Sequence, residues 1–181
     1  MSAGAVLVPG YGGSADQPIL RAMATLLEAR GIVAVRMAFS RPRPVADFAP
    51  ELDELRSVRD ELVKSGVQQL ALVGRSFGGR VCARLAAVEQ PDALVLLGHP
   101  IAPPDRPRPD DEAALSRVRC PTLIVQGERD RLGPLEVLRR IATSNPHIEI
   151  HVLPGVGHQF GQRQSEGLQR AAIWLEEQCR G

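Results

Sequence analysis

The chain has 181 residues, enough to bury a sizeable core, and its 44% hydrophobic and 24% charged residues are ordinary for a globular protein, not a disordered one. A net charge of +1 argues against a dedicated nucleic-acid surface, and no stretch is long and apolar enough to span a membrane. No basic segment precedes the first apolar run, so the expectation is a single cytoplasmic domain over residues 1–181.

The first apolar run, Ala5-Val6-Leu7-Val8, predicts a strand ending in Pro9-Gly10-Tyr11-Gly12-Gly13. Pro18 opens a helix, where a proline is tolerated in the first turn, and Ile19, Leu20, Met23, Leu26 and Leu27 give it one apolar face. Gly31 ends it ahead of a second strand over residues 32–35. A loop rich in Pro and Arg follows, then a helix with Leu52, Leu55, Val58 and Leu62 at helical spacing. A third strand runs through Leu70-Ala71-Leu72-Val73, and a helix behind it turns Val81, Leu85 and Val88 inward, with Cys82 buried on it. A fourth strand over residues 93–97 ends at Gly98-His99-Pro100. A proline-rich loop and a short helix around residues 111–118 lead to a fifth strand, residues 122–125, ending Gln126-Gly127-Glu128-Arg129-Asp130. A helix over residues 134–142, a sixth strand over 148–153, the turn Pro154-Gly155-Val156-Gly157-His158 and a last helix over 165–179 complete the chain. Its inward residues are Leu168, Ala172 and Leu175.

Strand and helix alternate throughout, and the strands read as continuous apolar runs. That pattern predicts an α/β fold, a three-layer α/β/α sandwich on a mostly parallel sheet of about six strands. Ligands of such sheets gather at the carboxyl ends of the strands. The third strand ends there in Gly74-Arg75-Ser76-Phe77-Gly78, a Gly-x-Ser-x-Gly between strand and helix. This is the sequence of a nucleophile elbow, with Ser76 in a strained turn and glycines where a Cβ would meet the neighbouring strand and helix. A serine hydroxyl needs a base to attack at neutral pH, and the base needs an acid to orient it. Asp130 after the fifth strand and His158 after the sixth stand in the order serine, acid, histidine. Glu128 is a competing acid, and Asp130 has an alternative use as a helix cap near Gly133. His147 and His151 suit exposed or structural roles, while His99 suits a place on the pocket wall. For the oxyanion, the N–H groups of Phe77 and Tyr11 are the expected donors, with Gly12 the substitute for Tyr11.

Two other site classes are weaker. Gly10-x-Gly12-x-x-Ala15 after a strand matches a dinucleotide fingerprint, with Arg36 where an NADP-selecting arginine would stand, but Pro18 falls beyond the first turn such a helix requires. The three cysteines, Cys82, Cys120 and Cys179, are odd in number and lack a Cys-x-x-Cys pair, so they read as reduced thiols and not as a zinc site or disulfide framework.

Gly-Arg-Ser-Phe-Gly-Gly, Gln-Gly-Glu-Arg-Asp and Pro-Gly-Val-Gly-His-Gln-Phe together resemble the elbow, acid loop and histidine loop of the α/β-hydrolase family, over essentially the whole chain. Within it the chain resembles the short, lidless forms, the dienelactone-hydrolase-like proteins and the group containing the NSL-complex subunit 3 domain. The resemblance implies that the chain starts at the family's third strand, and it replaces the His-Gly frequent after that strand with Pro9-Gly10. The short connection from His99 to Cys120 leaves no room for the cap many members insert there, which implies an open site for small or protruding acyl groups. Arg75, Arg129 and Arg131 near the strand ends would then favour an anionic substrate. The expected function is a serine hydrolase cleaving a small-molecule carboxylic ester or thioester, with no metal or organic cofactor. The alternative is a non-catalytic binding or scaffold protein on the same fold.

Overall fold

Residues that cannot satisfy backbone polarity with side chains in an apolar run must pair their N–H and C=O groups with neighbouring strands. In the computed structural model, which describes residues 2–180, six such runs form one sheet. The strands are β1 (Ala3–Val8), β2 (Ile32–Arg36), β3 (Gln69–Arg75), β4 (Ala93–Leu97), β5 (Thr122–Gly127) and β6 (Ile148–Leu153). The helices are α1 (Pro18–Glu28), α2 (Ala49–Lys64), α3 (Phe77–Ala86), α4 (Pro109–Arg117), α5 (Leu135–Ser144) and α6 (Gln164–Arg180), the last preceded by a 3-10 turn, Gly161–Arg163.

The strand order is β2-β1-β3-β4-β5-β6, with every neighbouring pair parallel. Alternation along the strands splits the core in two. Val6, Val8, Leu70, Leu72, Leu94 and Leu96 face one side, where Leu55, Val81, Leu85, Leu115 and Leu138 bring α2 to α5 against them. Ala5, Leu7, Ala71, Val73, Val95 and Leu97 face the other, beneath Leu20, Met23 and Leu27 of α1 and Leu168, Ala172 and Leu175 of α6. Each large side chain so buried contributes about 1.5–3 kcal/mol, and Leu72→Ala would cost on the order of 2–5 kcal/mol. The predicted three-layer sandwich is the observed architecture.

Local differences from the sequence reading have simple causes. Val88 is 69% exposed, because α3 stops at Ala86 and the residue falls outside its apolar face. β6 is buried only at its two ends, Ile148 and Leu153, and is not a continuous apolar run, since it sits at the sheet edge with one strand neighbour. Cys82, Cys120 and Cys179 are free thiols, and Cys82 is fully buried.

Topology decides where a site can form. From β1 the chain steps outward to β2, returns to β3 and then adds strands in the opposite direction. The connection after β1 therefore enters α1 on one face, and that after β3 enters α3 on the other, leaving a crevice between the two strand ends. The register pairs Val8 with Gly74 and Arg75 with Leu97, so the segments following β1, β3 and β4 begin at one level. Between β4 and β5 lie only a proline-rich loop and the nine-residue α4, with no cap domain.

Candidate active site

Ser76 is the hinge between β3 and α3. Its φ of 49° and ψ of −114° lie outside the regions ordinary residues occupy, a conformation costing about 1–3 kcal/mol. Two glycines make the turn possible. A Cβ on Gly74 would lie 2.5 Å from the Cα of Gly79, and one on Gly78 would lie 2.4 Å from the carbonyl oxygen of Val8. The Ser76 N–H donates to the Leu97 carbonyl at 3.1 Å, which ties the apex to the neighbouring strand end.

Two loops bring partners to the Ser76 hydroxyl. Its Oγ is 2.8 Å from Nε2 of His158, and Nδ1 of the same ring is 2.7 Å from Oδ2 of Asp130. The Asp130 side chain is wholly buried, so its charge must be met by donors. Besides the imidazole, Nε2 of Gln126 donates to Oδ2 at 2.8 Å and the Leu132 N–H donates to Oδ1 at 2.9 Å. Holding Nδ1–H toward a carboxylate leaves the Nε2 lone pair facing Ser76. Glu128, the competing acid, is exposed and accepts the Gly155 N–H at 2.7 Å, clasping the histidine loop from outside. Asp130 does not cap α5; its oxygens are engaged within its own turn, with Gln126 and with His158.

The loop after β1 abuts the elbow, since a Cβ on Gly10 would stand 3.6 Å from that of Ser76. The Gly10 N–H is taken by Oε1 of Gln17 at 3.0 Å. The N–H groups of Tyr11 and Phe77 have no acceptor among the described residues. The two rings meet edge to face at 6.2 Å between centroids. Phe77 opens α3, so its N–H also carries the positive end of the helix dipole.

The structure reassigns several residues. Arg75 is buried and faces away from the cleft. It donates to the carbonyls of Leu97 at 3.0 Å and His158 at 2.7 Å, and lies over the Phe160 ring. Burial lowers its pKa to about 10 against the opposing pull of Asp130, and its work is to hold the histidine loop. Arg129 and Arg131 line a separate hollow with Asp130 and Pro134, without Ser76. His99 does not line the pocket. It is fully buried, and desolvation pushes its pKa down to about 4, so the ring is neutral. Its backbone N–H donates to Oε1 of Gln126 at 2.8 Å. His147 is exposed, and His151 stands 4.0 Å from Glu166, both away from Ser76.

Sequence reasoning passed over Gln126 and Gln17. Gln126 lies near the end of β5, where an amide in a buried strand was the available signal, and Gln17 immediately precedes α1. It also passed over Arg80, Arg106 and Arg108, which line the cleft of about 340 Å³ at Ser76 together with Tyr11, Phe77 and Leu132. Arg80 stands on α3, and the place of Arg106 and Arg108 depends on how the β4–β5 connection folds back over that helix. Among the described residues no group of three or more His, Cys, Asp or Glu is arranged to hold a metal ion. Nor is any helix long and apolar enough to cross a membrane.

Comparisons with known proteins agree on the frame. Over 124 residues the chain is 27% identical to a 2-hydroxy-6-oxononadienedioate/2-hydroxy-6-oxononatrienedioate hydrolase of Pseudomonas putida, a match covering 68% of this chain and 41% of that protein. The match thus spans about two fifths of that relative's length. Among solved structures, Est1E of Butyrivibrio proteoclasticus with bound ferulic acid superposes with a TM-score of 0.85 at 16% identity, covering 99% of this chain and 90% of that one. An α/β serine hydrolase without a lid from Xanthomonas campestris gives 0.74 at 23% identity, over 98% and 81%. A family model described as an alpha/beta hydrolase domain matches residues 2–179. That match spans nearly the whole chain, and the chain belongs to the α/β-hydrolase family, in a short form with no cap domain between β4 and β5.

Proposed function

We propose that this protein is a serine hydrolase that cleaves small carboxylic esters or thioesters through an acyl-enzyme on Ser76. One observation carries the reading: an unbroken relay from the Ser76 hydroxyl through His158 to a buried Asp130, at 2.8 and 2.7 Å. It opens onto a cleft beside two N–H groups without acceptors. The Pseudomonas relative is a hydrolase by name and the Xanthomonas structure a serine hydrolase, which supports the class.

The steps follow from the geometry. Nε2 of His158 takes the Ser76 proton as Oγ forms a bond to the substrate carbonyl carbon, and the carbonyl electron pair moves onto oxygen. The N–H groups of Phe77 and Tyr11 hold that oxyanion, in a loop and helix start already fixed by Gln17 and the elbow glycines. The buried Asp130 carboxylate stabilises the imidazolium and keeps its orientation. His158 then gives the proton to the leaving oxygen or sulfur, the tetrahedral species collapses, and the acyl group stays on Ser76. A water molecule, deprotonated by the same imidazole, releases the acid. With no cap above the cleft, water reaches the acyl-enzyme freely, which favours hydrolysis over transfer to a second alcohol.

The test is labelling by a fluorophosphonate probe read by intact mass, on the native chain and on Ser76→Ala. The expected result is a single adduct lost in the variant, followed by turnover of short-chain nitrophenyl esters and acyl thioesters. A folded native protein that takes no label overturns the reading and points to a scaffold on a hydrolase fold.

A further inference from the structure

The charges around the cleft are unevenly matched. Four guanidinium groups, those of Arg80, Arg84, Arg106 and Arg108, surround a second hollow of about 260 Å³, which also meets Asp110. Three of the four also line the cleft that holds Ser76. The carboxylate of Asp111 is 1% exposed and serves two of them, Nε of Arg80 and Nη2 of Arg84, the latter at 2.8 Å. Both arginines also lie over the ring of Phe48, at 4.8 and 4.4 Å. Their charge is matched and their positions are fixed.

Arg106 and Arg108 are different. Neither has an ion-pair partner among the described residues. Arg108 is half-buried and donates from Nη1 to the Pro100 carbonyl, which pins its side chain over the cleft with other N–H groups left over. Burial, and then repulsion from Arg80, lower its pKa to about 10, so it remains charged at neutral pH but in a strained electrostatic setting. Two unneutralised guanidiniums held beside a nucleophile are a receptor for a planar anion, since the guanidinium fork matches a carboxylate in two parallel hydrogen bonds. Apart from Ser76 and Arg80, the rest of the cleft's lining is largely apolar, from Tyr11, Pro44, Phe77, Pro100 and Leu132. That wall suits a short hydrocarbon spacer. The arginines left without ion-pair partners beside Ser76 are thus not those nearest the strand ends in the sequence but those carried over the site by the β4–β5 connection.

Resting on the serine-hydrolase reading above, we infer that this cleft selects esters carrying a free carboxylate a few carbons from the scissile bond, bound by Arg106 and Arg108. The chemical class is the monoester of a short dicarboxylic acid. The anion removes the repulsion among the arginines, so the same contact that recognises substrate also quiets the cleft.

The test compares the 4-nitrophenyl monoester of glutaric acid with its methyl-capped, neutral counterpart. The expected kcat/KM ratio is about tenfold or more in favour of the carboxylate, carried by KM, falling as salt rises. In Arg106→Gln/Arg108→Gln the ratio falls toward one, and Arg106→Glu reverses it. Arg106→Gln alone, an exposed side chain, carries the test where the double variant does not fold. Equal kcat/KM values for the two esters in the native protein, or an unchanged ratio in the variants, overturn the inference. Calorimetric binding of glutarate to Ser76→Ala reads the subsite without chemistry. Binding lost in the arginine variants supports the inference, and no binding to Ser76→Ala overturns it, whatever the fluorophosphonate result. Labelling at Ser76 with no carboxylate preference leaves the hydrolase reading standing and removes this one alone.

Discussion

The two sides of Ser76 are built on opposite principles. On one side His158, Asp130, Gln126 and Arg75 form a network in which the buried carboxylate, amide and guanidinium each have two or more partners. On the other side Arg106 and Arg108 look into the cleft from a proline-rich loop, and Arg106 has no ion-pair partner among the described residues. The first arrangement fixes angles and protonation; the second leaves charge available to an incoming molecule. Burial makes the difference. An unmatched charge inside the His158–Asp130 network would cost several kcal/mol, whereas at the cleft mouth water solvates it until an anion arrives.

Substitutions separate the two sides by size of effect. Ser76→Ala removes the proposed nucleophile, and ester turnover should fall by about 10⁴-fold or more, with stability little changed. Asp130→Asn should lower kcat on the order of 10⁴-fold, because the amide favours the wrong imidazole tautomer; a steady-state assay on a neutral ester reads both. Gly78→Ala attacks the elbow itself. Its methyl would meet the Val8 and Pro9 carbonyl oxygens at 2.4 and 2.5 Å, contacts made by backbone that cannot swing away. A loss on the order of 4 kcal/mol is expected, seen as a fall of roughly 10 °C in Tm.

Gln126→Leu tests whether the buried network is held from beneath. It strips the His99 N–H, the Gly133 carbonyl and an Asp130 oxygen of a partner together. The expectation is about 2–4 kcal/mol of stability lost, with kcat down about tenfold, from denaturation curves and kinetics on one preparation. His99 gives the smallest effect and a pH signature. Its folded pKa of about 4 lies below the usual 6.5, so the unfolded chain binds a proton that the folded one refuses. Stability is therefore whole above pH 6.5 and declines as pH falls toward 4, by up to roughly 3 kcal/mol. His99→Leu should flatten that part of the Tm–pH profile; an unchanged slope would assign the acid sensitivity elsewhere.

Much of the frame was legible in the chain. The apolar run ending in Gly74-Arg75-Ser76-Phe77-Gly78 specifies strand, tight turn and helix locally, because only glycine tolerates the close backbone approaches on both sides of Ser76. Asp130 and His158 were legible from their order behind the later strands, and six apolar runs separated by helical patterns predict parallel crossovers. Arg75 was not legible as a strut: its place beside Ser76 in sequence suggests the pocket, yet strand alternation sends its side chain to the other face, under the histidine loop.

What the sequence by itself determined is thus everything set by local periodicity and backbone sterics: the strands, the elbow and the chain order of serine, acid and histidine. Only the tertiary structure decided which charges face the cleft. Arg106 lies 30 residues from Ser76 in the chain, and His99 follows β4 while Gln126 and Asp130 belong to the end of β5. Such long-range contacts follow from strand order and loop path, which no local pattern encodes. Folding alone brings the arginine loop over Ser76.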